Sequence, residues 1–102
     1  MHKLLDQKRT EVIGLCRRLG ARRLDAFGSV VRADFDPLQS DLDFLVTFDD
    51  AAPAVYAQAY FRLKEGLESL FGRPVDLVTE SSLVNPYFRQ RVTGERQTIY
   101  AS

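Results

Sequence analysis

The chain has 102 residues, in which 14 Lys and Arg balance 14 Asp and Glu, so its formal net charge is zero. That length suits one domain able to bury roughly 65% of its unfolded surface without disulfides or structural metal; the lone Cys16 excludes a disulfide framework and a Cys-rich zinc site. No apolar run approaches the ~18 residues of a membrane span, the start MHKLLDQKRTEV turns polar too soon for a signal peptide, and the charge balance lacks the basic excess of a nucleic-acid binder, so a cytoplasmic protein with no membrane and no direct nucleic-acid contact is expected.

Leu5, Val12, Leu15, Cys16 and Leu19 fall near helical spacing and predict a helix over 4–19, stopped by Gly20. His2 reads as a terminal residue without a ligand role, and Cys16 as a small core residue. Arg17, Arg18, Arg22 and Arg23 read as a solvated helix end, where cations complement the helix dipole. A short strand follows at 24–27 and ends on Gly28-Ser29, with Ser29 placed to cap a short helix through about Asp34. Asp36-Pro37 marks a loop, and Asp34 and Asp36 read as solvated loop carboxylates.

The clearest strand covers 41–48, where Leu42, Phe44, Val46 and Phe48 alternate with Asp41, Asp43, Leu45 and Thr47. Asp49-Asp50 reads as a helix-start cluster, and Pro53 opens a helix to about Phe71. Its apolar stripe is Tyr56, Tyr60, Leu63, Leu67 and Leu70; Gly66 sits inside it and Gly72 ends it. Pro74 precedes a third strand at 75–79, Asn85-Pro86 opens a last short helix ending near Gly94, and 98–100 forms an edge strand. The alternation predicts an α/β fold, a small mixed sheet flanked by helices, with the strand order left open.

The chemistry concentrates in FGSVVRADFDPLQSDLDFLV. On a strand Asp41 and Asp43 project together, roughly 7 Å apart, while Leu42 and Phe44 point to the core. Like charges ~4 Å apart repel by about 4 kcal/mol at an effective dielectric of 20. A divalent cation offsets that, and an all-oxygen donor set suits Mg²⁺ or Mn²⁺ with substrate phosphates filling the shell. Asp76, between core-facing Val75 and Leu77, completes the cluster if its strand is adjacent. Three carboxylates could then hold two ions ~3.5–4 Å apart for an in-line displacement. Gly28 lets backbone approach a phosphate, the N–H groups of the turn and the Ser29 hydroxyl donate to it, and Arg32 lies one turn on.

GSVVRADFDPLQSDLD resembles the signature of the minimal nucleotidyltransferases of the DNA polymerase β-like superfamily, and GRPVDLVTESSLVNPYFRQRV is similar to that family's third-carboxylate strand and last helix. The resemblance implies the polymerase β-like nucleotidyltransferase fold and Mg²⁺-dependent nucleotidyl transfer. It assigns triphosphate to Gly28 and Ser29 and metal to Asp41, Asp43 and Asp76, with Asp76 also placed to activate an acceptor hydroxyl. Stand-alone domains of this size resemble antitoxins that adenylylate a HEPN-domain ribonuclease toxin, with ATP as donor and a tyrosine as acceptor. Two departures are Ala33, where Gly is common, and an eleven-residue spacer, Val30 to Ser40, in place of about ten. The chain leaves little room for a second substrate domain, so the acceptor is expected to be a protein, and Tyr56, Tyr60, Tyr87 and Phe88 are available to touch it. Neutralisation by occlusion alone, and transfer to a small-molecule hydroxyl, remain open alternatives.

Overall fold

The computed structural model describes residues 2–32, 35–36 and 40–102. Two helices, α1 (Lys3–Gln7) and α2 (Arg9–Leu19), precede β1 (Ala21–Phe27) and β2 (Leu42–Phe48). Helix α3 (Pro53–Phe71) leads to β3 (Val75–Thr79), and α4 (Pro86–Glu95) to β4 (Gln97–Ala101). The strands form one sheet in the order β3-β2-β1-β4. Strand β1 pairs antiparallel with β2 and β4, and β2 pairs parallel with β3, which makes the sheet mixed as expected. The parallel pair is joined through α3, the crossover such a pair requires.

One face of the sheet carries most of the core. Leu24, Ala26, Leu42, Phe44, Val46, Val75 and Leu77 meet Val12, Leu15 and Cys16 of α2 and Leu63, Leu67 and Phe71 of α3. Cys16 is fully buried here, as expected, and burial pushes its thiol up to about 12. On the opposite face Phe27 and Leu45 pack against Leu83, which precedes α4, and Val92 of α4. Leu45 is therefore core although it lies on the Asp43 face, because that face has a second apolar cluster of its own.

Several boundaries differ from the sequence reading. The first helix kinks at Lys8 (φ −108°, ψ 8°), whose carbonyl still accepts from Val12 N–H at 3.0 Å. His2 anchors the start of α1: its ring nitrogen accepts from Leu4 N–H at 3.1 Å, and its backbone N–H donates to Val30 O at 3.0 Å. That gives His2 a structural role the sequence did not suggest. Left-handed Gly20 (φ 77°) turns the chain straight into the sheet, so β1 starts at Ala21. Arg22 and Arg23 thus belong to a strand, and only Arg17 and Arg18 occupy the last turn of α2.

Ser29 caps no α-helix. Residues Gly28–Val30 form a 3₁₀ turn in which Arg32 N–H reaches Ser29 O at 3.1 Å and Gly28 O at 3.3 Å; Asp34 lies outside the described residues, as does Ala33. Asp49 and Asp50 precede α3 without entering its first turn. Asn85 does cap α4, accepting from Tyr87 and Phe88 N–H at 2.9 and 3.1 Å. Among the described residues no helix is long and apolar enough to cross a membrane.

Candidate active site

One end of the sheet collects the residues singled out from sequence. Because β1 runs against β2 and β3, its C-terminal end lies beside their N-terminal ends. Phe27 pairs with Asp43, and Asp43 with Asp76, in one row across three strands. Neighbouring strands lie roughly 4.8 Å apart, so the two carboxylates leave the same face as direct neighbours. Asp41 comes just before β2 and is exposed; Asp43 is half-buried and Asp76 exposed.

Asp43 is the electrostatic centre. Burial first, then the Asp76 and Asp41 carboxylates, raise its pKa to about 6 from an ordinary 3.8; Arg32 opposes this and Glu95 adds to it. The acidic group is thus under-compensated by the chain's own cations, the condition a divalent ion relieves. Among the described residues no three acidic, His or Cys side chains close into a preformed metal cage. The site offers the Asp43–Asp76 pair with Asp41 beside it, not a finished cluster. That donor set fits Mg²⁺ or Mn²⁺, which take one or two carboxylates and draw the remaining ligands from water and phosphate.

The Gly-Ser turn abuts this pair. Gly28 follows β1 directly with φ 76°, a left-handed conformation L side chains rarely adopt. A Cβ built on Gly28 would overlap the Asp43 Oδ2 and lie 3.1 Å from its Cγ. The missing side chain at 28 is what allows the turn and the carboxylate to occupy adjacent space. Arg32, at the end of the turn, acts on Asp43 electrostatically. A groove of about 540 Å³ where α2 crosses α3, lined by Gly14, Leu15 and Gly66, holds none of these residues.

Two acidic residues at this face escaped the sequence reading. Glu95, the last residue of α4, accepts from Gly28 N–H at 2.9 Å and from Arg32 Nη1 at 3.1 Å. Its only sequence signal is an acidic residue at a helix C-terminus, against the dipole. Asp25, two residues before Phe27 on the same face, is fully buried. It accepts from Arg96 Nε at 2.7 Å and from Arg96 Nη2, and from Arg23 Nε at 3.1 Å; Arg96 Nη1 also reaches Glu80 at 3.2 Å. An Asp inside the apolar run LDAF was the available clue. This network fastens the α4–β4 junction to the sheet.

Of the aromatics, Tyr60 donates its hydroxyl to Leu77 O at 2.6 Å, and Tyr56 packs edge-on against Phe48. Phe88 packs against Phe27, next to Asp43 in the row, while Tyr87 is 83% exposed. Phe88 is therefore the one of the four that the ring contacts place beside the row holding Asp43.

A family model described as a nucleotidyltransferase domain matches residues 11–99. The protein adenylyltransferase MntA of Thermococcus cleftensis is 41% identical over 69 residues, 68% of this chain and 66% of that protein. A solved structure described as a candidate minimal nucleotidyltransferase superposes with a TM-score of 0.77 at 39% identity, covering 95% of each chain. The same fold recurs, at 21% identity and a TM-score of 0.65, in a complex of a tri-AMPylated HEPN toxin from Shewanella oneidensis with its MNT antitoxin, over 95% of this chain and 72% of that one. The mixed sheet, its flanking helices and the match along nearly the whole sequence place this chain in the minimal nucleotidyltransferase family.

Proposed function

We propose that the protein is a Mg²⁺-dependent adenylyltransferase that moves AMP from ATP to a tyrosine hydroxyl of a cognate HEPN-domain ribonuclease toxin and thereby acts as its antitoxin. The observation that carries this reading is the single row in which Asp43 and Asp76 stand beside a side-chain-free Gly28. Resemblance to MntA and to the antitoxin of the AMPylated complex supports the choice of donor and partner.

Each residue then has a task. Asp43 and Asp76, with Asp41, hold the cation. When bound, the cation neutralises the triphosphate and the departing pyrophosphate. The Gly28 N–H and the Ser29 hydroxyl hold phosphate oxygens, and Arg32 adds charge on the same side. The acceptor oxygen bonds to the α-phosphorus, the bond to pyrophosphate breaks, and the acceptor proton passes to Asp76, the more exposed of the paired carboxylates. Phe88, packed on Phe27 next to Asp43 and 38% exposed, offers an apolar contact for an acceptor as large as a protein.

The test is a mass spectrum of a HEPN-domain toxin, after incubation with ATP, Mg²⁺ and this chain. Adenylyl increments on a tyrosine, lost with Asp43→Asn, support the reading. Neutralisation of the toxin by Asp43→Asn at normal expression would instead favour occlusion.

A further inference from the structure

The phosphate-binding turn is filled by the protein's own anion. Glu95 places one carboxylate oxygen on the Gly28 N–H at 2.9 Å and the other on Arg32 Nη1 at 3.1 Å. These are the donors that the reading above gives to the triphosphate, on which this inference rests. A carboxylate and a phosphate compete for such donors because both accept charge-assisted hydrogen bonds in the same geometry. Helix stability does not explain the residue: a negative charge in the last turn of α4 opposes the dipole. Its ordered contacts are the donors of the turn and Arg91, one helical turn back at 3.8 Å.

We propose that Glu95 is an internal phosphate surrogate, which occupies the donors of the Gly28 turn in the absence of nucleotide and must leave them when a triphosphate binds. The movement is short. Glu95 is only 17% exposed in the closed position, and Arg91, at 59%, stands on the solvent side of the same helix to receive the displaced carboxylate. The backbone need not follow, since neighbouring Arg96 stays fixed by buried Asp25. A ligand that binds only the open form is weakened by the fraction of molecules that are open. Glu95 thereby sets the apparent affinity for nucleotide, and α4 becomes a place where a docked partner could alter it.

The sign of a substitution separates this role from a merely structural one. A strut that shapes the turn weakens nucleotide binding when removed; a competitor strengthens it. The experiment is equilibrium binding of the magnesium complex of a non-hydrolysable ATP analogue to the full chain, as wild type, Glu95→Gln and Glu95→Ala. The expected result is a Kd about tenfold lower for Glu95→Ala, for an open form populated at about a tenth, with Glu95→Gln between. Unchanged or weaker binding by both variants, with wild type binding, overturns the inference and leaves the adenylyltransferase reading intact. Absence of binding by all three overturns both. A measurement on wild type alone guards against misfolded variants: the Gly28 amide and the Glu95 carboxyl carbon should shift together in NMR as the analogue is added. Saturation with neither signal moved would contradict the displacement.

Discussion

Gly28 and Asp43 share a space that holds only one of a methyl group and a carboxylate. The glycine is left-handed at φ 76°, and its missing Cβ position overlaps the Asp43 Oδ2. Gly28→Ala therefore meets two penalties. Left-handed backbone costs an alanine about 1–2 kcal/mol, and the carboxylate must leave the position it holds against the turn. A misplacement of ~1 Å at a reacting centre costs on the order of 10²-fold in rate. Gly28→Ala is expected to lower transfer by that factor while the chain still folds, checked by steady-state assay with circular dichroism. Wild-type turnover in a folded variant would show that the turn and the carboxylate do not act together.

Asp43 carries a cost that disappears when it is neutralised. Its folded pKa of about 6 lies above the ordinary 3.8, so the folded state binds the proton more tightly than the unfolded one. Its stabilising contribution is complete below 3.8 and is lost as pH rises toward 6. In divalent-free buffer at neutral pH, Asp43→Asn should be more stable than wild type by on the order of 1 kcal/mol, after allowing for solvent screening. That corresponds to roughly 4–8 °C in Tm. The gap should close on acidification, which thermal melts across the pH range will show. Equal melting of the two proteins at every pH would remove the evidence that the site is electrostatically strained.

The Asp25–Arg96 pair is structural in the present account. Asp25 is fully buried, and Arg96→Ala leaves its charge with Arg23 as the remaining cation. Removing one partner of such a pair costs roughly 3 kcal/mol, a fall of more than ~10 °C in Tm. Calorimetry should record that loss; a shift within a degree or two would mean that Asp25 is held by other means.

The alternation of Leu42, Phe44 and Val46 with Asp43 was readable because one strand face is purely apolar, and that fixed which way the aspartates point. The position of Asp76 beside Asp43 was not readable, because it depends on the parallel pairing of β2 with β3, a long-range choice that no local pattern encodes. Glu95 and Asp25 were missed for the same reason: their partners are 67 and 71 residues distant in sequence. The length of β1 was underestimated because Arg22 and Arg23 mimic a helix end, whereas the left-handed Gly20 had already closed α2. Leu45 sat in the apparent polar set of its strand because only Leu83 and Val92, from late in the chain, make that face a second core.

In the proposed reaction, two aspartates on adjacent strands hold a divalent ion against a triphosphate. Electron paramagnetic resonance of Mn²⁺ titrated with a non-hydrolysable ATP analogue measures that directly. Wild type should take up Mn²⁺ together with the analogue, and Asp43→Asn and Asp76→Asn should each weaken the uptake at least about tenfold while remaining folded. Undiminished uptake of Mn²⁺ and analogue by both folded variants would contradict the account.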